Sequence, residues 1–202
     1  MNVGIIDYGA GNLRSVANAV QSLGFEPRLL DHADGFENLT HLILPGVGAF
    51  GDSMAELNRR GLADPIRDWI AGDRPFFGIC VGYQMLFEEG DENPGVAGLG
   101  IFRGRVVRFP EDGRKIPHMG WNAATPTEPA DDLWQGLGEQ PYFYFVHSFY
   151  PEPIDPSLMA MATDYKGTRF ASAIRRGRLL ATQFHPEKSQ QAGLRLLRNF
   201  LR

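Results

Sequence analysis

Apolar positions fall into short continuous blocks along this chain, alternating with stretches where they recur every three or four residues. Val3, Ile5 and Ile6 form the first block, which ends in the polar, glycine-rich stretch Asp7 to Gly11. Leu13, Val16, Ala17, Val20 and Leu23 then repeat at helical spacing up to Gly24. The pattern predicts strand, glycine loop, helix. A second extended piece, Pro27 to Leu30, precedes HLILPGVGAF, whose apolar core breaks at Pro45. Leu62, Ile66, Trp69 and Ile70 mark a further helix face, and Pro75 to Cys80 reads as a buried strand followed at once by a helix over GYQMLFEEG. Uninterrupted apolar strands alternating with helices predict an α/β fold whose parallel sheet is covered on both faces.

From Leu99 the segments become strand-rich: IFRGRVVRF, YFYFVHSFY, and a hairpin ASAIRRGRLLATQF turning around Arg176 and Gly177. The sheet is therefore expected to be mostly parallel but mixed. Leu194, Leu197 and Leu201 predict a C-terminal helix with Ser189 as its N-cap. The Pro/Asp-rich stretch Thr125 to Asp132 reads as a surface loop. There is no internal repeat and no linker, so residues 1–202 are expected to form one domain.

Composition narrows the chemistry. With 43% apolar residues the chain can bury a substantial core. Its 20 Lys plus Arg against 24 Asp plus Glu give a charge of -4, which offers no general attraction to a phosphate backbone. Asp7 interrupts the N-terminal apolar stretch, which has no basic lead, so it reads as a core strand and not a signal peptide. No segment approaches the ~20 apolar residues that span a bilayer, and a cytoplasmic location is expected. A single Cys excludes an internal disulfide and a multi-thiolate metal site, and no metal or cofactor is expected. YGAGNLRS is not a dinucleotide fingerprint, because Arg14 stands where the third glycine belongs.

Cys80 sits where the strand PFFGIC meets the following helix, with Gly78 and Gly82 two residues away on each side. A strand-to-helix turn of this kind lifts a nucleophile to the C-terminal edge of the sheet, and small neighbours let the backbones crowd together. The helix start favours thiolate, and the Val81 N–H is expected to be free to face an oxyanion. A thiolate nucleophile needs a proton carrier held by an acceptor. His185 and Glu187 supply both if the segment is extended, because residues i and i+2 then face the same way. In PGVG, glycines on both sides of Val47 let a peptide turn, so Val47 or Gly48 could complete the oxyanion hole. A buried structural cysteine, a surface His-Pro-Glu turn and an ordinary glycine turn are the bland readings of each motif taken singly.

Together GICVGYQ, HPEKS and PGVG resemble the class I glutamine amidotransferases, whose glutaminase domains use a Cys-His-Glu triad. DYGAGNLRS, PGVGAF, PHMGWN, YFVHSFY and HPEKS look like the branch of that family that serves imidazole glycerol phosphate synthases. The resemblance implies a flavodoxin-like α/β fold and hydrolysis of L-glutamine to glutamate and ammonia, with Cys80, His185 and Glu187 as catalytic residues. It also implies that Gly48, Gln84, Glu92, His147, Ser148 and Phe149 hold the substrate. The ammonia would pass to a separate (β/α)8-barrel cyclase, docked near Asn12, Arg14, Met119, Trp121 and Lys188. Tyr83 departs from relatives that carry Met or His there. Two rivals stand beside this reading: a glutaminase feeding another synthase, against which PHMGWN and DYGAGN weigh, and a non-catalytic module of the same fold.

Overall fold

The computed structural model describes residues 1–9, 11–128 and 131–202; Ala10 of the glycine loop, and Pro129 and Ala130 of the expected Thr125–Asp132 loop, lie outside the described residues. β1 (Val3–Ile6), β3 (His41–Leu44), β4 (Phe76–Ile79) and β13 (Leu179–Thr182) are buried at every position, so their apolar runs carry no alternation. These four and β2 (Pro27–Leu30) pair in parallel, in the order β2-β1-β3-β4-β13. β12 (Thr168–Arg176), β11 (Met159–Tyr165) and β8 (Thr125–Pro126) then extend the sheet antiparallel to eight strands. The mixed α/β sheet is therefore as expected, and the hairpin turns at Gly177, whose φ is 55°. Thr125 and Pro126 are a correction: they pair with Ala162 and Met161 as an edge strand, and Asp132–Trp134 is a 3-10 turn, not loop. Proline is tolerated there because an edge leaves its missing N–H unneeded.

Two small sheets sit beside the large one. β5 (Glu89–Gly90), β6 (Gly104–Arg108) and β10 (Phe149–Pro153) form one, and β7 (His118–Ala123) with β9 (Tyr142–His147) forms the other. The aromatic run YFYFVHSFY is thus split at Ser148, its halves serving different sheets.

α1 (Leu13–Ser22) ends as predicted, with Gly24 at φ 90° after its last turn. α2 (Phe50–Arg59) begins after Ala49, whose methyl cannot cap it; the carboxylate of Glu92 accepts from the Phe50 N–H at 2.7 Å and Asn93 Oδ1 from the Gly51 N–H at 2.8 Å. These remote side chains satisfy donors that the helix leaves open. α3 (Ala63–Ala71) buries the predicted face at Ile66, Trp69 and Ile70. α4 (Val81–Gln84) is one turn only, shorter than expected. Its would-be continuation spends carbonyls elsewhere: Met85 O accepts from Leu99 N, Leu86 O from Ile101 N and Phe102 N, and Glu88 O from Gly98 N. α5 (Gln190–Phe200) follows Ser189 as expected, but that hydroxyl does not cap it. Ser189 Oγ instead donates to the His185 carbonyl at 2.6 Å and accepts from the Tyr144 N–H at 2.9 Å, tying the HPEKS segment to β9.

One of the tightest approaches in the core lies under α4. A Cβ on Gly82 would stand 2.0 Å from the Leu44 carbonyl oxygen, and one on Gly46 would stand 2.5 Å from the Gly82 nitrogen. Gly82→Ala is therefore expected to destabilise the chain by about 3 kcal/mol or more, read as a lowered thermal midpoint. An unchanged midpoint would mean that β3 and α4 do not meet this closely.

Candidate active site

The carboxyl ends of β3, β4 and β13 bring together the sequence-predicted residues. Cys80 leaves β4 with φ 55° and ψ -110°, a strained conformation for a side chain larger than hydrogen. Its N–H is held by the Thr182 carbonyl of β13 at 2.8 Å. A cavity of about 300 Å³ opens over the sulfur, and Cys80, His185 and all six expected substrate-binding residues line it, with Val47 and Val81.

His185 and Glu187 meet, although not as an extended pair. Residues Pro186–Lys188 form a 3-10 turn, and His185 Nδ1 lies 2.8 Å from Glu187 Oε1. The Glu187 side chain is fully enclosed, and Oε1 also accepts from Asn12 Nδ2 at 3.3 Å. His185 Nε2 makes no hydrogen bond among the described residues. Burial pulls the imidazole down, but the charge on the nearby Cys80 sulfur and then Glu187 outweigh it, and His185 is pushed up to about 10. A thiol, an imidazole that holds its proton strongly and a carboxylate thus share one site. This set can attack a carbonyl carbon and return a proton to a leaving amine.

Two sequence expectations need correction. The Val81 N–H is not free: it donates to the Gly46 carbonyl at 3.4 Å. The four residues of α4 also give little macrodipole to hold a thiolate.

The wall opposite the sulfur is built from imidazoles. His147 Nδ1 lies 2.8 Å from the Phe149 carbonyl oxygen, which can only accept, so that nitrogen carries the proton. His147 Nε2 therefore accepts from His118 Nδ1 at 2.9 Å, and His118 Nε2 accepts from Asn122 Nδ2 at 3.2 Å. Burial pushes His118 down to about 4 and His147 down to about 3, so both rings are neutral at pH 7. With both nitrogens committed, His147 shapes the wall and offers no ring donor to a ligand. Gln84 Nε2 donates to the Phe149 carbonyl at 3.0 Å and to Gln183 Oε1 at 3.1 Å. Gln183, fully buried, reaches the Cys80 sulfur at 3.7 Å. Sequence reasoning missed it; its place directly after β13, two residues before His185, is the signal that points to it.

A family description decides what this constellation belongs to: glutamine amidotransferase class-I matches residues 4–202. The chain belongs to that family. As a class-I glutamine amidotransferase it is 51% identical over 197 residues to the imidazole glycerol phosphate synthase subunit HisH of Rhodopirellula baltica, covering 97% of this chain and 95% of that one. It is 47% identical to the protein of the same name from Methylococcus capsulatus, over 100% of this chain and 96% of that one. Among solved structures, PurLQS from Thermotoga maritima matches with a TM-score of 0.78 at 20% identity, covering 99% and 97% of the two chains. A second, described as a glutamine amidotransferase, matches at 0.76 and 23% identity, covering 98% and 96%. At such identities these two structures establish the shared fold of the amidotransferase.

The residues expected at a partner interface occupy a connected strip. Asn12 touches Glu187, and Arg14 and Lys188 are exposed nearby on α1 and the 3-10 turn. β9 joins that turn to β7, whose Met119 and Trp121 are 58% and 47% exposed. Among the described residues no helix is long and apolar enough to cross a membrane.

The low-lying histidines predict an acid sensitivity. Unfolded imidazoles take up protons as pH falls through about 6.5, whereas folded His118 and His147 resist until about 4 and 3. Protons therefore favour unfolding, and stability present above pH 6.5 is lost toward pH 4, by up to about 1.4 kcal/mol per pH unit for each ring. Denaturant melts across that range should show a shallower slope for His147→Phe than for the parent; equal slopes would refute the assignment.

Proposed function

We propose that residues 1–202 act as a single glutaminase unit, the ammonia-producing subunit of an imidazole glycerol phosphate synthase. What carries the reading is the convergence in one cavity of the Cys80 sulfur with the His185–Glu187 pair. The Cys80 sulfur attacks the side-chain amide carbon of L-glutamine. His185 passes its proton to the departing nitrogen, which leaves as ammonia, and a glutamyl thioester remains. Water, deprotonated by His185, opens the thioester and releases glutamate with the thiol restored. Glu187 holds the ring through Nδ1 and stabilises its cationic form.

Substrate recognition follows from the free groups of the cavity. Both N–H bonds of Gln84 are committed, so its Oε1 is left to accept from the substrate's amino-acid head. Glu92 supplies negative charge for the α-ammonium, with Gly48, Ser148 and Phe149 offering backbone around it. The Val81 N–H and the Val47 or Gly48 peptide form the oxyanion hole once the Gly46 carbonyl is turned away. In the resting arrangement that carbonyl occupies the Val81 donor, so the peptide rests in a poor geometry for catalysis.

The ammonia is consumed by a cyclase, a separate (β/α)8-barrel chain that docks on Asn12, Arg14, Met119, Trp121 and Lys188 in the cytoplasm. It yields imidazole glycerol phosphate and an aminoimidazole carboxamide ribotide. The high identity to relatives named as subunits of that synthase supports this choice over other ammonia-using synthases.

Glutamine hydrolysis by the chain alone, and with the cyclase and its nucleotide ligand, tests the chemistry and the gate together. Turnover is expected to rise on the order of 10–100-fold on assembly, and Cys80→Ala should abolish it in both states. Equal turnover with and without the cyclase would exclude the gate. Residual turnover in Cys80→Ala would exclude the nucleophile. Trp121→Ala is expected to weaken association by about 2 kcal/mol in a titration, with the chain's own melting temperature unchanged.

A further inference from the structure

We propose that Gln183 keeps an amide N–H directed at the Cys80 sulfur and thereby holds that sulfur in its anionic, nucleophilic form. The inference deepens the reading of Cys80 as nucleophile and rests on it. Gln183 follows β13, with its backbone N–H donating to the Ser172 carbonyl at 2.9 Å and its side chain fully enclosed.

The direction of its side-chain amide follows by elimination. The Phe149 carbonyl accepts from His147 Nδ1 and from Gln84, and a carbonyl cannot donate, so the Gln84 atom facing it is nitrogen. That same nitrogen stands 3.1 Å from Gln183, whose atom there must be oxygen. The remaining end of Gln183, its NH2, is left against Sγ at 3.7 Å, within the range of an N–H···S hydrogen bond. The reverse orientation would set two donors face to face between Gln84 and Gln183 and an oxygen against the sulfur.

An N–H donor stabilises a thiolate more than a thiol because the bond is assisted by charge. The His185 charge favours the thiolate through space, but direct donors are few: α4 is too short to give much dipole, the Val81 N–H is taken by Gly46, and His185 Nε2 makes no hydrogen bond among the described residues. The titratable groups around the sulfur are His185, with Glu187 behind it, and Tyr8, which burial pushes up to about 12 and so keeps neutral; Glu92 and the neutral ring of His147 line the same cavity.

The test is alkylation of Cys80 by iodoacetamide across pH on the full chain, comparing the parent with Gln183→Leu and Gln183→Glu. Since this is the chain's one cysteine, the label reports a single sulfur. At neutral pH the Leu variant is expected to react about tenfold more slowly and to regain the parental rate at high pH, where the thiolate forms without help. The Glu variant should be slowed at least as far, since a carboxylate beside the sulfur repels its charge. A folded variant with the parental pH profile would overturn the proposal. So would a loss of rate equal at every pH, which reports blocked access to the sulfur. If the Leu variant fails to fold, the isosteric Glu variant decides. Because no glutamine enters the assay, the expected profile in a protein inactive toward glutamine would uphold this inference while the proposed function failed.

Discussion

The site depends on how closely two backbones pass beneath it. β3 ends with the Leu44 carbonyl pressed toward Gly82, and Gly46 lies against the same turn, leaving no room for a side-chain carbon at either glycine. This crowding forces the chain at Cys80 into positive φ, which swings the sulfur out of the sheet and into the cavity. The strain is offset by the parallel ladder on both sides, because Cys80 N–H is itself a rung to β13. The same close passage brings the PGVG peptide within reach of the turn, where the Gly46 carbonyl accepts from the Val81 N–H.

The functional groups come from far-separated parts of the chain, and polar contacts between buried groups hold them in register. Ser189 fastens the segment carrying His185 to β9, while Asn12 at the start of α1 reaches the enclosed Glu187 carboxylate. Across the cavity the line from Asn122 through His118 and His147 to the Phe149 carbonyl has one direction throughout. Each member is neutral or fixed by a partner that can act in one sense only. Such a network in a low-dielectric interior specifies one arrangement, since reversing any member leaves two donors or two acceptors facing one another. β7 is thereby two-faced: its inner residues complete the wall while Met119 and Trp121 stand in solvent.

Much of this was legible in the amino-acid pattern, and what escaped it has common physical causes. β1, β3, β4 and β13 read clearly because strands covered on both faces need no polar alternation. The elbow glycines and the His-Pro-Glu segment were also legible, since their chemistry is local. α2 gives no local start signal because its cap comes from residues more than 40 positions away. α4 stops early for a similar reason: its next carbonyls are captured by the segment around Leu99 to Phe102. β8, two residues long and containing a proline, has too little pattern to separate it from loop. The Val81 donor, the committed ring of His147 and the amide of Gln183 depend on contacts between distant segments, which single-chain spacing cannot express.

Glu92 ends up answering to two claims on one charge. Its carboxylate anchors the first turn of α2, yet it also borders the cavity where a positively charged amino group would seek it. Both fall close to PGVG, since α2 begins two residues after Gly48. The start of that helix and one face of the cavity consequently share a single side chain.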